Sequence, residues 1–323
     1  MRYRAYHPVK YLRCFNRACF IYLDQVLNYL DQDAVAKIIF IRPIDSPMLQ
    51  ECLKRVADLG IPYQADYDDL IFDTNDKLCF AQSSVLKKTS LGHHDHVLYQ
   101  RALKRFTNVS CSTQHLAKAI QAVHPSAKVT LYRNLLPPEA GNLSPTFQRP
   151  EKTLSVYYLS GTLTHQKDFA DVIPAVQQWL AVSPYHQLIL VGAINIPKGL
   201  NKAQVKKIDH RHYLSLAQVF DNALAAIAPL QDTAFNQCKS AIKFLETAHL
   251  GIPVICSPYG EYADINSRQG PLLASSTTQW FKLLMRLTTD VDFWQQEAQR
   301  QKQGALSYGN TLETNPFILE NHD

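Results

Sequence analysis

The chain has no run of about 18 apolar residues, so no segment reads as a membrane span. It also has no block of like charges, no low-complexity tract and no repeat at a fixed period, which removes interaction tails, solenoids and propellers. No C-x-x-C pair occurs among its 7 cysteines, Cys14, Cys19, Cys52, Cys79, Cys111, Cys238 and Cys256. An odd, scattered set argues against a zinc site or a disulfide framework and fits reduced thiols in the cytoplasm. The opening MRYRAYHPVKYLRCF is basic but lacks the apolar core of a signal peptide, so none is expected. Excess charge is slight, +5 with a pI near 8.7. That balance favours anionic ligands or an acidic membrane surface and falls short of a nucleic-acid binder. The expectation is a cytoplasmic protein with no nucleic-acid partner, peripheral membrane association staying open.

The 323 residues, 46% of them hydrophobic, suffice for two cores of about 150 residues each. Residues 135–152, LLPPEAGNLSPTFQRPEK, are rich in proline and lack hydrophobic periodicity, as a linker would. An N-terminal domain over 1–140, a linker over 141–152 and a C-terminal domain over 153–323 follow. On both sides, short apolar runs alternate with amphipathic patterns. Strands are expected at 37–42, 63–67, 108–111 and 128–132, then at 154–159, 187–191, 223–228 and 252–256. A helix from Asp168 would place Phe169, Val172, Ile173, Val176, Trp179 and Leu180 on one face. Such alternation predicts an α/β fold with two Rossmann-like, doubly wound parallel sheets facing across a cleft.

The segment 235–257, FNQCKSAIKFLETAHLGIPVICS, carries the densest chemical signal. A helix starting near Lys239 would align Lys239, Lys243 and Glu246. Two lysines at i and i+4 repel each other, and the first helical turns disfavour cations. A phosphate at the helix N-terminus removes both objections, with Ser240 and Ala241 supplying backbone N–H groups. A solvated face with Lys243 paired to Glu246 is the plainer alternative. A second stretch, YYLSGTLTHQKDF from Tyr157 to Phe169, runs a strand into Gly161 and Thr162 and then a polar turn, where backbone can approach an anion.

LETAHLGIPVICS resembles the "LEAMAxGxPVxxS" segment of retaining glycosyltransferases of family 4, which have the two-domain GT-B fold. Glu246 matches the glutamate that holds the donor ribose in that family. The family's first glutamate would fall on Cys238, and Lys239-Ser240 resembles the "KSxxKxxE" variant of bacterial polysaccharide enzymes. Lys167 falls on the lysine of the family's "GxLxxxKG" loop, and Thr162 replaces its usual arginine. The resemblance implies glycosyl transfer with retention, from a nucleotide-diphosphate sugar to a carbohydrate, lipid-linked or protein hydroxyl, with no metal and no cofactor. Gly161, Thr162, Lys167, Lys239, Ser240, Ala241 and Lys243 would then hold the diphosphate. His165 is a further contact to diphosphate or sugar, with helix capping as its structural alternative. In the family a histidine of the N-terminal domain reaches the sugar, so His93 or His94 is a candidate. TLYRNLLP (130–137) and SCSTQHLAKAI (110–120) resemble the family more loosely, as does YRAYHPVKYL near the start.

Asp66-Tyr67-Asp68 is a literal DxD, which makes Asp68 a candidate catalytic or acceptor-binding carboxylate and a loop cap its alternative. His93, His94 and His96 with Asp95 look like metal ligands, but no second cluster at ligand spacing supports them. Arg42, with Pro43 at the end of the first strand, would point at the cleft or make a structural ion pair. Trp280 and Trp294 are expected on helices that pack back across the cleft. A nucleotide-sugar epimerase or phosphorylase on the same fold, and a non-catalytic nucleotide-sugar-binding subunit, are the rival functions.

Overall fold

A computed structural model of the chain describes residues 19, 21–30, 35–72, 93–134, 136, 147–161, 165–209, 217–265 and 269–309. The chain divides into two compact units. The first is Met1–Leu135 with Gln237–Ser240 and Thr311–Asp323; the second is Leu136–Asn236 with Ala241–Asn310.

In the first unit a short helix α1 (Val26–Leu30) precedes β1 (Ile38–Ile41), α2 (Pro47–Asp58), β2 (Tyr63–Tyr67), α3 (His93–Leu103), β3 (Asn108–Cys111), α4 (Gln114–Val123) and β4 (Lys128–Leu131). All strand pairings are parallel, in the order β1-β2-β3-β4. Local chemistry sets the helix starts. Ser46 Oγ accepts from Leu49 N at 3.2 Å with Pro47 in the first turn, and Thr113 Oγ1 accepts from Leu116 N at 3.1 Å. One face of α2 buries Leu49, Cys52, Leu53 and Val56.

The second unit holds β5 (Leu154–Ser160), α5 (Gln166–Ala170), α6 (Ile173–Val182), β6 (His186–Gly192), β7 (Val205–Ile208), β8 (Ala223–Ala228), α7 (Ala234–Gln237, whose last residue counts with the first unit), α8 (Ile242–Ala248), β9 (Val254–Cys256), α9 (Glu261–Asp264), β10 (Leu272–Leu273), α10 (Thr277–Thr289) and α11 (Val291–Gly309). The parallel sheet runs β10-β9-β8-β5-β6-β7. The chain winds outward from β5 to β7, returns to the other side of β5, and winds outward again through β8 to β10. Strand order therefore reverses between β5 and β8, the place where doubly wound sheets open a crevice at their carboxyl ends.

β5 and β8 are buried at every position, as strands covered on both faces must be. The expected helix from Asp168 is two helices, Gln166–Ala170 and Ile173–Val182. Pro174 in the first turn of α6 has no N–H to continue the earlier ladder. The apolar face is nevertheless as anticipated, with Phe169, Val172, Ile173, Val176, Trp179 and Leu180 all buried. Trp280 and Trp294 lie in the second unit's core, where Trp294 Nε1 donates to Leu224 O at 2.6 Å. No helix among the described residues is long and apolar enough to cross a membrane.

Candidate functional site

Gly161 follows the last residue of β5 at the crevice. It is exposed, its φ lies outside the left-handed region, and a Cβ built on it would meet nothing within 4 Å. The fold itself does not require glycine there. Thr162 lies outside the described residues. Ser160 Oγ donates to Ala193 O at 2.9 Å, and Gln166 exchanges hydrogen bonds with Asn195, accepting from its N–H at 3.0 Å. These contacts tie the turn after β5 to the loop after β6.

His165 precedes α5 but makes no side-chain cap. Its Nδ1 instead lies 2.8 Å from Asp168 Oδ2. Asp168 is only 5% exposed, and its Oδ1 accepts from Gln231 N at 2.9 Å and from Asn236 Nδ2 at 2.8 Å. One buried carboxylate thus joins the turn after β5 to the segment after β8, across the point where strand order reverses. Asn236 Nδ2 also donates to Gln231 O at 3.0 Å, and Gln231 Nε2 donates to Asp171 at 3.0 Å.

Tyr158 of β5 gathers two of the expected ligand contacts. Its hydroxyl donates to His165 O at 3.3 Å, its ring stacks on Phe169 at 4.3 Å, and Lys243 Nζ lies 5.0 Å from the ring centroid. Burial, reinforced by the charge of Asp168, pushes the Tyr158 phenol well above its ordinary pKa, so the hydroxyl stays a donor. The Lys243 ammonium is buried, which corrects the solvated face allowed for it. Glu246 is half-buried one turn further along α8, and Lys167 on α5 is exposed.

The expected start of α8 requires correction. It begins at Ile242, not near Lys239, so Lys239 does not share a helical stripe with Lys243 and Glu246. The N–H of Ala241, expected to face phosphate, donates to the carboxylate of Glu261 at 2.8 Å. Glu261 is 3% exposed and also accepts from Tyr308 of α11 at 2.5 Å. A protein carboxylate therefore occupies the end of the helix where an anion was anticipated. Sequence reasoning missed both Glu261 and Asp168. Glu261 is distant from Ala241 along the chain, and Asp168 reads in the sequence only as the start of a helix.

Lys239 and Ser240 belong to the first unit. Lys239 Nζ lies 2.5 Å from Asp69 Oδ1, Ser240 Oγ accepts from Asn134 Nδ2 at 2.7 Å, and Thr113 Oγ1 donates to Cys238 O at 3.0 Å. Arg42, at φ 48, turns its guanidinium onto Asp68 through Nε and onto Asp69 through Nη2 at 3.1 Å. Burial works against that charge, but the hydrogen bond and charge of Asp68, with Asp69 beyond, outweigh it and raise the Arg42 pKa. Asp68 therefore sits in an ion pair, the structural alternative foreseen for Arg42. Asp66 is fully buried and accepts from Ser110 Oγ at 2.5 Å, so the two aspartates of the DxD have separate environments. The side chains of His93 and His94 lie outside the described residues, whereas His96 is buried with Nδ1 2.5 Å from Ile71 O. Among the described residues no three His, Cys, Asp or Glu side chains gather as a metal-ligand set.

Compared by sequence, the chain matches no family model and no curated protein. Compared by fold, it is similar to sucrose-phosphate synthase of Thermosynechococcus elongatus, with a TM-score of 0.63 at 12% identity over 92% of this chain and 75% of that one. TarM of S. aureus aligns with a TM-score of 0.63 at 11% identity over 97% of this chain but 56% of its own, so the chain spans little more than half of TarM. HepE of Anabaena, solved with UDP and glucose, aligns with a TM-score of 0.59 at 13% identity over 94% and 83% of the two chains. At such identities the likeness shows the fold, the two-sheet α/β arrangement of GT-B glycosyltransferases.

Proposed function

We propose that this chain is a glycosyltransferase that moves a sugar from a nucleoside-diphosphate sugar to a hydroxyl acceptor, with the donor held by the second unit. The observation that carries the reading is the reversal of strand order between β5 and β8 and the side chains gathered at that place. There an unobstructed glycine, a histidine fixed by a buried carboxylate and a lysine above Tyr158 gather beside strand ends, in a fold shared with such enzymes. Doubly wound sheets bind nucleotides at this place.

When the glycosidic bond to phosphate breaks, negative charge grows on the departing diphosphate. Lys243, Lys167 and His165 would counter it as preorganised donors, with Gly161 letting the backbone come close, and no metal is invoked. Glu246 would hold the ribose hydroxyls. The helix N-terminus drops out of this scheme, because Glu261 already takes the Ala241 N–H. Asp68, paired with Arg42, is given a structural role, and His93 remains a candidate contact to the sugar. Retention of anomeric configuration and a place in polysaccharide synthesis follow from the resemblance of LETAHLGIPVICS to family 4. Cys238, where that family has glutamate, favours the alternative of a non-catalytic nucleotide-sugar-binding subunit.

The test is a screen of UDP-, GDP- and dTDP-sugars with pure protein, following nucleoside diphosphate release with and without alcohol acceptors. Release that rises with acceptor supports transfer, and NMR of the product anomer reads retention. Tight donor binding with no turnover of any sugar would favour the non-catalytic role.

A further inference from the structure

We propose that Asp168 is a positioning residue that keeps the His165 proton on Nδ1, so that a nucleoside diphosphate meets Nε2 and is bound together with one proton from solvent. The inference rests on the reading of this crevice as a diphosphate site.

Both oxygens of Asp168 are engaged, Oδ2 by His165 Nδ1 at 2.8 Å and Oδ1 by Gln231 N and Asn236 Nδ2 at 2.9 and 2.8 Å. The Asn236 amide has its NH2 toward this carboxylate and toward Gln231 O at 3.0 Å, an orientation that a flip would turn into two acceptor–acceptor contacts. Asp168 is thus served by donors on every side, and an ionised carboxylate can only accept. The ring nitrogen facing it must carry hydrogen, which fixes the tautomer.

Any ligand contact of the ring must then be made through Nε2. In the neutral ring that nitrogen is an acceptor and would face phosphate oxygens, which are also acceptors. Protonation turns Nε2 into a donor, and the new positive charge lies between phosphate and the Asp168 carboxylate. The proton comes from water and leaves when the diphosphate leaves.

The neighbouring groups do not take this role. Tyr158 of β5 donates to His165 O, and Tyr262 of α9 feels the charge of Asp168; burial pushes both phenols up, so both stay neutral. Lys243 of α8 lies over the Tyr158 ring, Lys167 is exposed on α5, and Asp171 accepts from Gln231. Among these side-chain types only imidazole ordinarily titrates near neutrality.

The test is calorimetric titration of the full chain with UDP at about pH 8, where phosphate is already fully ionised, in buffers of different ionisation enthalpy. Wild type should take up close to one proton, and its affinity should fall by up to about tenfold per pH unit as the pH rises. His165→Gln and Asp168→Asn should both bind UDP without that uptake. Nitrogen-15 NMR of the ligand-free wild type should find the His165 proton on Nδ1. An Nε2–H ring overturns the inference even if Asp168→Asn does not fold. So does UDP binding without proton uptake, or uptake that survives His165→Gln. Failure of wild type to bind any nucleoside diphosphate sinks the diphosphate reading itself.

Discussion

Replacing Gly161 by alanine separates what the fold needs from what a ligand needs. A Cβ at this position meets nothing within 4 Å, and the backbone is not left-handed. Alanine should therefore stabilise the ligand-free protein by about 0.4–1 kcal/mol, because the unfolded chain loses more freedom than the folded one. Binding should move the other way. If the diphosphate approaches this turn closely, the methyl group occupies its space and one charge-assisted hydrogen bond is lost, roughly 1.5–3 kcal/mol. That corresponds to a dissociation constant for UDP about 10–100-fold weaker. Thermal melts without ligand and calorimetric titration with UDP measure the two effects on one sample. A fall of several degrees in the ligand-free melting temperature would mean that the turn itself demands glycine. Unchanged UDP affinity would mean that no phosphate comes near it, and the crevice would lose its main support.

Gly304 of α11 offers the opposite case: a Cβ there would lie 1.9 Å from Gln269 O, so Gly304→Ala should destabilise by ~1–3 kcal/mol despite alanine's better helix propensity, and a neutral melt would contradict the packing. Lys243→Met keeps the length of a side chain whose ammonium is buried above Tyr158, so ligand-free stability should change by less than about 1.5 kcal/mol while UDP binds about 10–100-fold more weakly. Loss of folding with UDP affinity intact would make this lysine structural. Burial depresses the pKa of His186 and of His249 below the ordinary histidine value, so the unfolded chain takes up those protons more readily. Stability should then be lost as pH falls through about 6.5, by up to ~1.4 kcal/mol per pH unit for each histidine, and a melting temperature that rises on mild acidification would refute this.

The fold was largely legible because apolar runs of strand length alternate with helical periodicity. The strand at Tyr63–Tyr67 and the strands at Asn108–Cys111 and Ala223–Ala228 lie where composition puts them. Helix boundaries were harder to read. Pro174 divides a continuous apolar face into two helices, and α8 starts only at Ile242, where Glu261, distant along the chain, takes the Ala241 N–H. The candidate site was legible in part. Gly161, His165 and Lys243 stood out by local pattern, but Asp168 acquires meaning only when β5 and β8 become neighbours and bring Gln231 and Asn236 onto it. Strand adjacency is a property of the sheet and leaves no trace in local spacing. The DxD shows the same limit, since three adjacent letters do not reveal that Asp66 faces Ser110 inside the sheet while Asp68 faces Arg42.

The last described helix sets a limit on how the protein can be dissected. Its Trp294 indole bonds Leu224 O, its Gln301 side chain accepts from Val254 N at 2.8 Å, and its Tyr308 holds the same Glu261 that anchors the start of α8. These attachments reach two adjacent strands and the helix bearing Lys243 and Glu246. A fragment of the second unit for crystallisation or fusion must therefore extend at least through Tyr308. Cutting at the apparent end of the sheet, after β10, would leave a Val254 donor and the Glu261 carboxylate without the partners that fix them.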